Sequence, residues 1–372
     1  MFWGSWRNMQ RTFASDNNAP VAPEIMEAIL AANTGDAVSY GADAFTERAV
    51  ARFREHFGAR TEVLFTFNGT GANVVALSSL LRPHEAVITP ASSHLQTDEC
   101  GALERFAGSK ILAVPSADGK LRVADLEPLV AHASDPHHVV PRAISISNTT
   151  EFGGLYDPDE IRDLATFAHR HDMIVHLDGA RICNAAAALG VSLRACTVDL
   201  GVDVLSFGGT KNGLLAGEAV LFFDPALHAT AAPFVRKQAM QLASKMRYIA
   251  AQFDALLAED RWHRYASHAN AMAQALEARI RAIPDVRITR PVAANAVFAT
   301  LDRAAIPKIQ ERYFFYVFDE SLPEARWMTH FATRPEDVDS FAHAVEQAVR
   351  RADGPSTGSR PSTGSRPSTS SG

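Results

Sequence analysis

Short apolar runs separated by stretches of helical periodicity set the tightest limit on what this chain can fold into. The runs are Val63–Phe67, Ala86–Thr89, Ile111–Val114, Ala143–Ser147, Met173–Leu177, Val204–Phe207 and Ala219–Phe223. Helical spacing fills the gaps, as in Asp159–His171 behind the capping pair Asp157-Pro158. Strands that alternate with helices predict an α/β fold: a mostly parallel, seven-stranded-type sheet lying between helices. Such sheets take ligands beyond the carboxyl ends of their strands, so chemistry is to be sought just after each run.

A second pattern follows. From Pro233 to about Ile283 the spacing is helical, and Val235–Ala258 reads as one long helix. Val286–Thr289, Ala296–Leu301, Tyr313–Phe318 and Arg326–Phe331 read as a smaller strand set, closed by an amphipathic helix over Pro335–Arg351. A chain of 372 residues has room for both units. After Asp353 only Ser, Thr, Pro, Gly and Arg remain, in a short PSTGSR repeat. That stretch has no large apolar side chain to offset its ordering entropy and is expected to be disordered.

Composition excludes some partners. A net charge of −6 leaves no basic excess to neutralise phosphates, so nucleic acid is not an expected partner. No apolar run reaches about 18 residues, which argues against a membrane span. The opening MFWGSWRNMQRTF is broken by Gly4, Arg7, Asn8 and Arg11 and does not read as a signal peptide. Cys100, Cys183 and Cys196 lack CxxC spacing and read as free thiols in a reducing, cytoplasmic setting.

Four strand ends carry unusual residues. Asn68-Gly69-Thr70-Gly71-Ala72-Asn73 joins a strand to a helix, where glycines let a ligand approach and the helix start offers free amides to an anion. The alternative is a tight turn without a ligand, and the stretch lacks the Walker lysine and the dinucleotide fingerprint. Ser92-Ser93-His94 follows a strand with Glu99 five residues on; His94 suits ring stacking, proton transfer or a purely structural place. In His176-Leu177-Asp178-Gly179-Ala180-Arg181, alternation puts His176 and Asp178 on one face. A carboxylate at Asp178 can hold a heteroaromatic nitrogen protonated, and Arg181 can reach a phosphate; a helix cap with a surface arginine is the plain alternative. Finally, Lys211 stands between glycines in Asp203–Gly213. Lysine is the only side chain that provides an amine able to form an imine with a carbonyl.

The order of these features resembles the fold type I pyridoxal-phosphate enzymes. More closely, SYGADAFT, SNTTEFGGLYDPDEI, HLDGAR and DVLSFGGTKNG resemble the low-specificity L-threonine aldolases of the β-eliminating lyase group, over roughly residues 13–350. The resemblance implies pyridoxal 5'-phosphate as cofactor, carried as an imine on Lys211, with Asp178 on the pyridine nitrogen and His94 on the ring face. It implies that Gly69, Thr70 and Arg181 hold the phosphate or the substrate carboxylate, with Ser15 and Arg326 beside that carboxylate. It places no metal in the site. It implies a small amino-acid substrate, cleaved to glycine and an aldehyde, and a homodimer or homotetramer in which the segment holding Tyr40 and Asp43 approaches a neighbouring site. The corresponding organisation is an N-terminal arm (1–30), a cofactor-binding unit (31–245), a small C-terminal unit (246–352) and the tail (353–372).

One departure is visible. Many family members carry a His after an Asn-Thr pair where Thr150 stands here, which leaves His94, Glu151 or a water as the base for the substrate hydroxyl. The rival readings are β-elimination, transamination and, from another class, a dinucleotide-binding oxidoreductase. The last requires an acid at the end of the second strand; Glu85 precedes that run and Thr89 ends it. A metal site built on His169, His171 and His176 lacks further ligands in the sequence.

Overall fold

In the computed structural model, which describes residues 11–131, 134–229 and 231–352, the seven apolar runs are strands. They are β1 (Glu62–Thr66), β2 (Glu85–Pro90), β3 (Lys110–Val114), β4 (Val140–Ser147), β5 (Ile174–Gly179), β6 (Val204–Gly208) and β7 (Glu218–Phe222). The expected tail and residues 1–10 of the N-terminal arm lie outside the described residues. The sheet order is β1-β7-β6-β5-β4-β2-β3. Strands β2 to β6 are parallel, as their alternation with helices predicts. β7 is antiparallel to both β6 and β1. Only residues 209–217 connect β6 to β7, too short for the crossover of about a dozen residues that a parallel return requires.

Both faces of this sheet are covered. Ala219 and Leu221 of β7 enter one core with Phe53, Phe57, Phe65, Phe207 and Phe253. Val220 and Phe222 enter another, under the helix Gly69–Ser78. Successive side chains of a strand point to opposite faces, so one apolar run supplies both cores. Phe53 sits in the middle of the first, with ring centroids 5.3 Å from Phe207 and 5.4 Å from Phe253. Phe207 lies four residues before Lys211, so this aromatic cluster also seats the strand end that presents the lysine.

The expected long helix over Val235–Ala258 is instead two, Ala232–Gln238 and Arg247–Leu257. Between them Met240 adopts a φ of +61°, and the Gln241 side chain accepts from the Phe67 amide at 2.9 Å. A Cβ at Gly71 would collide with that side chain. Tertiary contact at the start of Gly69–Ser78 therefore overrides helical periodicity. The helix that spans both parts of the molecule is Arg261–Ile280: Trp262 and Tyr265 pack in the main core, Leu276 and Ile280 in a second one.

That second core lies against an antiparallel sheet, ordered β10-β11-β9-β8, of β8 (Arg287–Ile288), β9 (Ala296–Thr300), β10 (Tyr316–Asp319) and β11 (Glu324–Met328). The last two strands are displaced from the expected runs because Tyr313 and Phe315 pack in the core ahead of β10. Just past β11 the Thr329 amide donates to Asn295 O, which extends the pairing of β11 with β9 by one residue. The closing helix is Pro335–Ala352. The N-terminal segment crosses this sheet: the Phe13 amide donates to Phe314 O, its ring stacks on Phe341 at 4.1 Å, and the chain then delivers Ser15 and Asp16 to the main sheet. No helix among the described residues is long and apolar enough to cross a membrane.

Truncating Phe53 to alanine is expected to cost about 3–5 kcal/mol, read by chemical denaturation. A loss below about 1 kcal/mol would show that the aromatic cluster does not hold the sheet.

Candidate active site

A pocket of about 260 Å³ opens at the carboxyl ends of β4, β5 and β6. Of the residues singled out in the sequence, Gly69, Thr70, His94, Asp178, Arg181 and Lys211 line it together. Ser15 and Arg326 do not.

The lysine is presented by close backbone packing. β6 ends at Gly208, where a Cβ would collide with the Ala180 backbone, and a Cβ at Gly209 would stand 2.6 Å from Gly217 O. Lys211 then sits in a short 3-10 turn, Thr210–Asn212, closed by Gly213 at φ +99°. Burial, and then the neighbouring Arg181 charge, push its amine below the usual lysine range. A larger fraction of this amine is therefore uncharged, and so nucleophilic, than for a solvated lysine.

Asp178 stays ionised in spite of its surroundings. Burial alone would raise its carboxyl, but bonds from Asn73 Nδ2 (3.0 Å) and the Ala180 amide (3.0 Å), with His176 and Lys211 nearby, bring it below the ordinary carboxylate range. His176, on the same strand face, holds Ser145 Oγ at 2.9 Å and Ser206 Oγ at 3.0 Å. Burial pushes this imidazole down to about 4, so it is a neutral spacer fixing three parallel strands beneath Asp178. His169 instead pairs with Asp203 and His171 stacks on Phe167, so the three histidines do not converge.

His94 faces the pocket from the start of a short helix. Its Nδ1 donates to Glu99 Oε1 at 2.9 Å, and that bond raises the imidazole above its usual value. The same Glu99 oxygen accepts from Asn73 Nδ2 at 2.8 Å. Asn73 thus joins the carboxylate behind His94 to Asp178. Across the pocket, Asn68 takes the Gly71 amide at 2.8 Å. The amides of Gly69 and Thr70, left without intrahelical partners at a helix start, remain at the wall, and beyond the adjoining chain nothing lies within 4 Å of where a Gly69 Cβ would stand. That open, amide-lined space fits an anion such as a phosphate.

Arg181 lines the pocket but is already paired. Its Nε and Nη2 donate to Asp16 Oδ2 and Oδ1 at 2.7 and 2.9 Å. Asn295 Nδ2 adds a third bond to Asp16 at 3.1 Å. Burial raises the Asp16 carboxyl, but Arg181, Lys211 and these bonds outweigh it and hold it at about 2. Ser15 acts locally, its hydroxyl accepting from the Asn17 amide at 3.2 Å. Arg326 reaches from β11 with its Nε buried and without a partner, a donor set for an anion.

In the mid-chain loop, Thr150 turns away from the pocket: its hydroxyl donates to Asp118 O and accepts from the Gly154 amide. Glu151 lines the pocket in its place, and burial raises its carboxyl above the ordinary range. Asp43 caps the helix Ala44–Phe57 through Thr46, while Tyr40 is half exposed. Asp16 and Glu218 were not singled out from the sequence. Asp16 adjoins Ser15, and Glu218 opens an otherwise apolar strand, an anomaly that marks a buried acid with partners.

This geometry can hold an anionic, planar carbonyl compound and an amino acid side by side, and known proteins carry the same arrangement of elements. The beta-eliminating lyase family matches residues 12–304. The chain belongs to that family. Among its relatives, a low-specificity L-threonine aldolase from a Pseudomonas species is 41% identical over 92% of this chain and 99% of its own. Another, from Pseudomonas aeruginosa, is 41% identical over 90% and 96%. The structure of a threonine aldolase from Leishmania major superposes with a TM-score of 0.86 at 30% identity, covering 91% of this chain and 99% of that one. The fold expected of a beta-eliminating lyase, and the resemblance read from the sequence motifs, both hold.

Replacing Asp16 with Asn leaves the Arg181 charge buried without its counter-ion and is expected to cost about 3–5 kcal/mol. Because the folded value of about 2 lies below the ordinary 3.8, the contribution is complete above about pH 4 and is lost as pH falls through about 2. Denaturation across that range measures it; an Asp16→Asn curve parallel to the wild type at all pH values would contradict the assignment.

Proposed function

We propose that this protein is a pyridoxal 5'-phosphate-dependent lyase that cleaves β-hydroxy-α-amino acids such as L-threonine into glycine and an aldehyde. The observation that carries the reading is a buried Lys211 amine, brought below the usual lysine range by burial, in the same pocket as an ionised, buried Asp178. The full-length likeness to low-specificity L-threonine aldolases supports the substrate class.

Lys211 would hold the cofactor covalently, Gly69 and Thr70 would receive its phosphate, and His94 would lie on its ring. When bound, the cofactor supplies a sink for the electron pair left at Cα. Asp178 keeps the ring nitrogen protonated, which its lowered value allows across the neutral range. Arg326, with its free Nε, and the remaining face of Arg181 bind the substrate carboxylate, and a fork of this kind orients the Cα bonds. The hydroxyl proton goes to Glu151 or His94, the two groups at the wall able to accept it. Burial raises the Glu151 carboxyl, which makes it a stronger base than an ordinary carboxylate. After the Cα–Cβ bond breaks, the Lys211 amine is placed to carry a proton.

The same reading includes a homodimer or homotetramer, supported by exposed apolar side chains at Leu30, Val38, Phe234 and Met240. It also includes a cytoplasmic location, supported by free thiols at Cys183 and Cys196.

L-threonine is expected to yield glycine and acetaldehyde in equal amounts; ammonia with a keto acid would instead mean elimination. Lys211→Ala is expected to lower kcat/KM by at least about 1,000-fold with the fold retained. Arg326→Ala is expected to raise KM by roughly tenfold to a hundredfold, the worth of charge-assisted hydrogen bonds. An unchanged KM would remove Arg326 from the carboxylate site.

A further inference from the structure

One acid beside the pocket has no part in the chemistry above. Glu218 is 7% exposed and lies in β7, opposite Gly208 of β6 and Thr66 of β1. Its Oε2 accepts from the Gly209 amide at 2.6 Å, and the Thr210 side chain adds a further hydrogen bond.

Gly209 is the pivot of the lysine turn. Its carbonyl accepts from the amides of Asn212 at 2.9 Å and Leu214 at 3.3 Å, so the turn that carries Lys211 hangs on this one residue. Close packing against Gly217 O, Leu214 and Phe253 leaves no room for a side chain at Gly209 that could hold it from within. Gly209 is therefore held from outside, by the carboxyl of Glu218 on its N–H. A short charge-assisted bond of this type is directional; with the Gly209 N–H held by Glu218 and its C=O held by the Asn212 and Leu214 amides, the peptide units on both sides of Gly209 are restrained. Burial raises the Glu218 carboxyl to about 7, opposed by its bonds to Thr210 and Gly209 and by the Lys211 charge, with Asp178 adding to the rise. The strength of the bond to Gly209 thus changes near neutral pH.

We propose that Glu218 is a positioning residue that fixes the Gly209–Leu214 turn and so sets the line along which the Lys211 amine meets a carbonyl ligand. This rests on the reading of Lys211 as the amine that binds the cofactor.

The test compares wild type, Glu218→Ala and Glu218→Gln as cofactor-free proteins. Two quantities are followed: growth of the band near about 420 nm after adding pyridoxal 5'-phosphate, as a function of pH, and hydrogen exchange at the Asn212 and Leu214 amides. Glu218→Ala is expected to slow band growth by roughly tenfold, the scale of a misplaced reacting group, and to speed exchange at both amides. Glu218→Gln keeps an acceptor for the Gly209 amide. It is expected to stay within about threefold of wild type while losing the change in rate near pH 7. Wild-type rates and exchange in Glu218→Ala would overturn the proposal, as would a Gln variant with the full pH dependence. Absence of any band in the wild type would sink the reading of Lys211 itself, whereas the exchange comparison still decides the role of Glu218 in the turn.

Discussion

The buried pair of Asp16 and Arg181 is the interaction on which the rest of this site depends. Two parallel bonds of 2.7 and 2.9 Å join an N-terminal segment to the end of β5, and Asn295 adds the region ahead of β9. Three distant parts of the chain meet at one carboxylate. A charge pair taken out of water gains little net stability by itself, but removing either partner is costly because the other is left uncompensated. The pair therefore acts as a lock on geometry. It also fixes the direction of Arg181, whose charge reaches Lys211 and lowers its hold on a proton.

Protonation states in the pocket follow from which buried groups have partners. Asp178 has two donors and stays charged; Glu151 has none of comparable strength and is pushed up. His94 leans on Glu99 and gains affinity for its proton, while His176, between two hydroxyls, loses it. Two acids and two histidines, three at the cavity wall and His176 beneath it, thus occupy four different electrostatic positions. Acid–base work at neutral pH needs that spread.

Much of this was legible in the sequence because it is local. Strand runs, the glycines around Lys211 and the spacing of His176 and Asp178 all act within a few residues. What sequence reasoning missed is long-range. Asp16 meets Arg181 across 165 positions, and no periodicity announces such a partner. Ser15 was placed at the carboxylate, but its hydroxyl caps the next turn. The break at Met240 arises because Gln241 is drawn to the Phe67 amide, a tertiary contact that a helical pattern over Val235–Ala258 conceals. Glu218 left a faint sign, an acid at the head of an apolar strand.

The account stands or falls on the Lys211 amine. Its most direct test is to add pyridoxal 5'-phosphate, reduce with borohydride and map the modified peptide. The account predicts a band near about 420 nm that disappears on reduction, with the pyridoxyl group on Lys211 and on no other lysine. A reduced adduct on a different lysine, or none at all, would contradict it.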